Sequence, residues 1–343
     1  MSTPTGIVPF RLYHSLLLAR LERSKQSICL LETLIYPRPA WVRALASFLA
    51  LEEGHTWTYL LSQSRRDGQV EQGFVQAFQP AEGSKAYLLS IAPRLDGDEG
   101  RSLWHRLLGH LMSVAAERGF CSLYVSAEEA SPELEAWTEI GFSVYAREEI
   151  LRLSPDACPQ TTAWPDVRPE HEGDRWAIGQ LYRSVTPHLV QQAELAGRPV
   201  ETASSYHPPI FNHGEGFVLS NGADVVGYGH LIFGQRGHWL TLMVDPGVGE
   251  QRIGRLIDYA LALLDYYPLY PVYCAIRHYQ EGLLGPLQAR NFQPFSTQCC
   301  LVKHTAVRVT ESTRVVVSGW ENRVQAPTTT ISPSETIKGV YER

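Results

Sequence analysis

His238-Trp239-Leu240-Thr241-Leu242-Met243-Val244-Asp245-Pro246-Gly247-Val248-Gly249-Glu250-Gln251-Arg252-Ile253-Gly254 is the stretch that decides how this chain folds. Its first seven residues are apolar, aromatic or β-branched and read as a strand. Asp245 to Gly249 breaks the pattern, and an apolar helical spacing follows with Ile253, Leu256, Ile257 and Ala260 on one face. A strand that runs through a glycine-bearing turn into a helix leaves backbone N–H groups free for an anion, typically a phosphate. A damaged copy lies earlier: Ala86-Tyr87-Leu88-Leu89-Ser90-Ile91-Ala92-Pro93, an acidic turn, then a helix.

The rest of the chain repeats around these two copies. In the first half, helical segments at Phe10–Arg20 and Trp41–Leu51 precede strands at Thr56–Ser62, Gly73–Gln79 and Lys85–Ala92. A helix at Leu103–Arg118, a strand at Ser122–Ala127, a helix from Ser131-Pro132-Glu133 to Gly141-Phe142 and a strand at Ser143–Leu153 follow. Ser154–Trp164 has no periodicity and reads as a linker. The second half has helices at Asp174–Arg183 and Pro187–Ala196, with Thr186 as N-cap. Strands at Gly216–Ser220, Val225–Phe233 and Trp239–Val244 come next, then a helix at Gln251–Leu264. A strand at Val272–Ile276, a helix at Gly282–Ala289 interrupted by Pro286, and a strand at Phe295–Val302 complete it. This is an α/β chain with a mixed sheet, built as two tandem domains at 1–153 and 165–309, with a flexible tail at 310–343.

The 343 residues suit two domains, and a hydrophobic content of 44% supports packed cores. A net charge of −6 argues against general nucleic-acid binding. The six cysteines include no C-x-x-C pair, and every apolar run is broken by charge. A soluble cytoplasmic protein, monomer or homodimer, with neither a nucleic-acid nor a membrane partner, is the expectation. Neither a metal-ligand motif nor a Walker, Rossmann or nucleophile-elbow motif is present.

On its element order and on Val244-Asp245-Pro246, Gly254 and the Ile140-Gly141-Phe142 and Arg290-Asn291-Phe292 helix ends, each half resembles a GNAT-type N-acetyltransferase domain. The resemblance implies an acyl-CoA N-acyltransferase fold, acetyl-CoA (or another acyl-CoA) as cofactor and a small-molecule amine as acceptor. It places the cofactor on Leu242, Met243, Val244, Gly249, Glu250, Gln251, Arg252, Ile253, Gly254 and Arg255. Here Gly249, Glu250 and Arg252 depart from the family's Arg/Gln-x-x-Gly-x-Gly/Ala turn. Arginines suit phosphate oxygens, and a helix N-terminus adds about 0.3–1 kcal/mol per exposed charge.

In the first half the turn reads Asp96-Gly97-Asp98-Glu99-Gly100-Arg101, so three carboxylates would face an anion. Each such pair at 4 Å costs about 1 kcal/mol in water and about 4 kcal/mol at an effective dielectric of 20. That half is read as scaffold, or as completing the acceptor cleft.

The family's acid, a helix tyrosine, corresponds to Trp137 and Leu287, which cannot protonate a thiolate. Tyr279 is the substitute, with His238 or His230 as base. Tyr182, Tyr206, His207 and Arg277 are candidates for the acceptor pocket. The alternative is a catalytically inactive GNAT-like protein that binds a ligand or partner.

Overall fold

The computed structural model describes residues 6–51, 54–64, 70–81, 84–155, 164–195, 214–222 and 224–305. The linker reading (mostly), the tail, and two candidate pocket residues, Tyr206 and His207, lie outside them. No helix among the described residues is long and apolar enough to cross a membrane.

The strands are β1 (Ile7–Pro9), β2 (Gln26–Ser27), β3 (His55–Ser64), β4 (Val70–Gln79), β5 (Lys85–Ala92), β6 (Ser122–Glu128), β7 (Ser143–Leu153), β8 (Val167–Pro169), β9 (Gly214–Asn221), β10 (Asp224–Phe233), β11 (His238–Val244), β12 (Val272–Arg277) and β13 (Gln293–His304). The α-helices are α1 (Ser15–Leu21), α2 (Leu30–Ile35), α3 (Ala40–Phe48), α4 (Gly97–Glu117), α5 (Pro132–Glu139), α6 (Arg175–Val185), α7 (His188–Leu195), α8 (Glu250–Ala262) and α9 (Leu284–Gln288). The sequence reading omits β1, β2, α2 and β8. The first, second and last are only two or three residues long, and Leu30–Ile35 is a short apolar run that carries no decisive period.

All strands join one mixed sheet in the order β1-β3-β4-β5-β6-β13-β7-β12-β11-β10-β9-β8, with β2 added on β5. The two last strands are exchanged. β13, from the second half, pairs with β6 of the first, while β7, from the first half, pairs with β12 of the second. β7 and β13 then pair antiparallel with each other at the centre.

One face carries α4 and α5 over the first half and α8 with α9 over the second. Leu103, Leu107 and Leu111 of α4 pack with Trp57, Leu61 and Val75. Ile253, Leu256, Ile257 and Ala260 of α8 pack with Leu231, Leu240 and Leu242, as their spacing requires. The opposite face carries the other helices, two of which cross over. Leu31 and Ile35 of α2 pack on Ile232, Trp239 and Tyr273 of the second half. Val190 and Ala193 of α7 pack near Ala146 and Tyr124 of the first.

Helix ends follow local chemistry. Gly141 ends α5 at φ +95°, and Asn291 takes the equivalent place after α9 at φ +65°, a position that asparagine tolerates best among residues with a side chain. Pro286 does not interrupt α9. It is the third residue of that helix, in the turn whose N–H groups have no intrahelical acceptor. Thr186 is not the cap of α7. Its N–H closes α6 on the Tyr182 carbonyl, and its side chain hydrogen-bonds Tyr279.

Because each half lacks its own last strand in place, residues 1–155 and 164–305 expressed separately are expected to show no cooperative thermal unfolding. Co-expression should restore it. A cooperative transition for 1–155 alone would contradict the role given to the exchanged strands.

Candidate functional site

β11 and β12 run parallel with His238 to Thr241 opposite Val272 to Ala275, and there the pairing stops. β11 continues to Val244 and β12 to Arg277, so the sheet opens into a wedge. Leu242 presents its carbonyl to that wedge, where the Gln280 side-chain amide donates to it at 3.1 Å. The Gln280 oxygen in turn accepts from the Arg277 N–H at 3.1 Å. A strand residue presents its N–H on the same side as its C=O, so the Leu242 N–H also faces the opening.

Beyond the wedge, Asp245 folds the turn. Its carboxylate accepts from the Gly247 N–H at 2.8 Å and its carbonyl from the Val248 N–H at 3.0 Å. Gly249 is the N-cap of α8, and a Cβ placed there meets nothing within 4 Å. Among the described residues the N–H groups of Gly249, Glu250 and Gln251 have no acceptor. These bare donors at an open helix start fit a phosphate.

The neighbouring cations are otherwise engaged. Arg252 and Arg255 both bind Asp166, at 3.0 and 2.9 Å, and Arg252 also donates to the Ser220 carbonyl at 2.7 Å. Gly254 is needed by a different neighbour. A Cβ there would lie 2.3 Å from Arg290, whose guanidinium spans to Asp258 at 2.5 and 2.7 Å. Ile253 is buried in the core.

The first half has the same wedge, and its own chain fills it. β5 and β6 pair only from Lys85–Ser122 to Tyr87–Tyr124. Past that point β2 adds to β5, Ser27 opposite Ser90 and Gln26 opposite Ile91. The Ile28 N–H then donates to the Leu89 carbonyl at 2.9 Å, and Ser126 of β6 donates to the Ile28 carbonyl at 2.7 Å. The helix start below it carries Asp96, Asp98 and Glu99.

On the face of α2, α6 and α7, the open wedge leads into a cavity of about 160 Å³. A single rung of the sheet supplies its polar floor: Gln298 lies opposite Glu148, and Glu148 opposite Arg277. Residues on one rung share a face. The Arg277 guanidinium binds Glu148 at 2.5 Å and Glu194 of α7 at 2.9 Å. Gln298 donates to the second Glu148 oxygen at 2.7 Å, and the Tyr182 hydroxyl to the second Glu194 oxygen at 2.7 Å. Burial works against the charge on Arg277, but Glu148, Cys300 and Glu194 outweigh it and hold the guanidinium firmly protonated. Burial pushes the Tyr279 hydroxyl up to about 12.

The cavity thus collects Tyr182, Arg277, Tyr279, Leu242 and Met243 from the residues anticipated in the sequence. Glu148, Glu194, Thr186 and Gln280 complete it and were not anticipated. Glu148 is a charged residue at an inward strand position, which is the one local signal it gives. Val244, Gly249, Glu250 and Gln251 form the turn outside the cavity.

The two histidines are elsewhere. His238 starts β11 at the end away from the wedge, 1% exposed, against Tyr267 and Tyr270, with a ring nitrogen 3.2 Å from the Pro268 carbonyl. Burial lowers its pKa. His230, on β10, does not line the cavity, and burial lowers its pKa to about 4. Leu287, at the family's tyrosine position, is buried under α8. No group of residues suited to a metal ion occurs among the described residues.

No family profile matches this chain, and no curated protein does. Among solved structures it is similar to a tandem GNAT protein from the clavulanic acid biosynthesis pathway, solved without AcCoA. That match has 14% identity and a TM-score of 0.51, and covers 88% of this chain and 98% of the other. It is also similar to a GCN5-related N-acetyltransferase from Sphaerobacter thermophilus, at 11% identity and a TM-score of 0.52, covering 89% and 97%. At these identities the likeness establishes the fold.

His230 is neutral when folded and takes a proton near pH 6.5 when unfolded. Lowering the pH from 6.5 toward 4 therefore removes stability, by up to about 3 kcal/mol. Urea denaturation across that range should show the loss, and His230→Gln should flatten it. An unchanged slope would place the titration elsewhere.

Proposed function

Because the chain has the fold of GNAT-type N-acetyltransferases in tandem form, we propose that it is an acyl-CoA-dependent N-acyltransferase acting on a small amine. The cofactor site is the wedge of the second half. The observation that carries this reading is the contrast between the two wedges: the one beside the acidic cavity is open, and the other is filled by β2.

The N–H groups of Gly249, Glu250 and Gln251 would hold the diphosphate, and Leu242 to Val244 would flank the acyl-bearing arm. When bound, the cofactor supplies the acyl group as a reactive thioester. The chain's own residues do the rest. Glu148 and Glu194 outnumber Arg277, so the cavity favours a protonated amine. Such an ammonium group must lose a proton before it attacks, and Glu194 is positioned to take it. Tyr279 lines the same cavity and stays protonated at neutral pH, so it can donate a proton to a departing thiolate. His238 is too far along the sheet, and His230, opposite Thr241 on the next strand, is a weak base because burial lowers its pKa to about 4.

The retained arginine pairs at Asp166 leave the backbone as the main phosphate contact. Calorimetry with acetyl-CoA is expected to give one site per chain. Gly249→Glu should weaken it tenfold or more by placing a carboxylate at the bare helix start, and Arg101→Glu, on the first half, should change it little. Equal losses would refute the asymmetry, and no binding at all would favour the inactive alternative.

With an accepted amine, Glu194→Gln should lower kcat/KM about 100-fold, consistent with the usual worth of a general base. A loss below threefold would remove Glu194 from the proton path.

A further inference from the structure

The inner wall of the cavity, opposite the wedge, comes from the first half and is built of tyrosine. Tyr87 of β5 and Tyr124 of β6 stack with ring centroids 5.3 Å apart, and Tyr145 of β7 meets Tyr124 edge-on at 6.2 Å. Tyr182 and Tyr279 also line the cavity. The hydroxyls differ in how they are used. Tyr124 donates to the Ala193 carbonyl at 2.6 Å, Tyr182 to Glu194 and Tyr279 bonds Thr186. Tyr87 and Tyr145 line the cavity, yet their hydroxyls have no hydrogen-bond partner among the described residues. A phenol this deep in a protein ordinarily finds a partner. Two that do not, in the wall of one cavity, mark where a ligand's polar atom belongs.

Size narrows the ligand further. An apolar cavity of about 150 Å³ accommodates benzene, and this one measures about 160 Å³. One ring with a short arm fits. The charge sits in the Glu148–Arg277–Glu194 cluster, with the Arg277 guanidinium also 5.7 Å over the Tyr145 ring. Aromatic edges and faces make up the far end, where they favour another ring over an alkyl chain.

Resting on the acyl-transfer reading above, we propose that the acceptor is a hydroxylated arylalkylamine. Its ammonium group lies on the cavity side of Glu194, whose carboxylate also holds Arg277 and Tyr182, and its ring lies against Tyr87, Tyr124 and Tyr145. Its ring hydroxyl bonds the free Tyr87 and Tyr145 hydroxyls. In the reaction the amine nitrogen forms the bond to the acyl carbon as the carbon–sulfur bond breaks. The ammonium gives one proton to Glu194 before the attack, and the nitrogen's second proton replaces the one that Tyr279 gives to the departing sulfur.

The test is calorimetry on the full-length chain with tyramine, phenethylamine and butylamine, each with and without acetyl-CoA. Tyramine is expected to bind at least tenfold more tightly than butylamine and several-fold more tightly than phenethylamine. In Tyr145→Phe the tyramine-to-phenethylamine affinity ratio should fall about tenfold, and Tyr87→Phe should reduce it in the same direction. Circular dichroism checks that both variants fold, and either one suffices. Butylamine binding as tightly as tyramine, or a ratio unmoved in both variants, overturns the proposal. Acetyl-CoA binding without tyramine binding would sink the acceptor class and leave the acyl-transfer reading intact. Tyramine binding without acetyl-CoA binding would do the reverse.

Discussion

Everything around the cavity depends on the ion pair between Arg277 and Glu148, because these residues come from opposite halves of the chain. Arg277 closes a strand of the second half, and Glu148 lies on the exchanged strand of the first. Their contact fixes the register at which β7 meets β12, and Gln298 extends the same rung to β13. A one-residue slip would turn every side chain of β7 to the other face. The rung therefore sets the tyrosine wall, the acidic floor and the end of the wedge at once. Removing one member leaves a buried charge without its counterpart, the costly case for an ion pair.

Strand exchange also explains how two similar halves became unequal. Each half has a wedge where its parallel strands part. In the first, residues 26–28 lie between the parted strands, pairing with the β5 backbone on one side and taking the Ser126 hydroxyl on the other. Having entered that gap, the chain goes directly into α2, whose Leu31 and Ile35 pack on the second half. The segment that closes one wedge thus begins the roof over the other. The acidic turn at Asp96 to Glu99 is consistent with a wedge that no anion visits. The open wedge keeps a glycine at the helix start, although the arginines beside it are held by Asp166.

Much of this was legible in the sequence, and the rest was not, for physical reasons. β5 and β7 fall where the pattern of apolar and β-branched residues puts them, and α4 and α8 bury the faces their spacing predicts. Those signals are local. The partners of Glu148 and Glu194 are set by pairing between residues more than a hundred positions apart in one case and eighty in the other, which no window of sequence contains. Gly254 illustrates the opposite hazard. Its position matches a cofactor motif, yet a Cβ there would also meet the Arg290 guanidinium at 2.3 Å. Histidine ordinarily titrates near neutrality, but burial lowers the pKa of both His230 and His238. Leu30–Ile35 was too short to read and proved to be the roof.

Hydrogen exchange of the full chain with and without acetyl-CoA tests the central claim most directly, since it reports both wedges in one experiment. The account predicts added protection across 242–251 and none across 89–99. Protection at 89–99, or at neither segment under saturating cofactor, would contradict it.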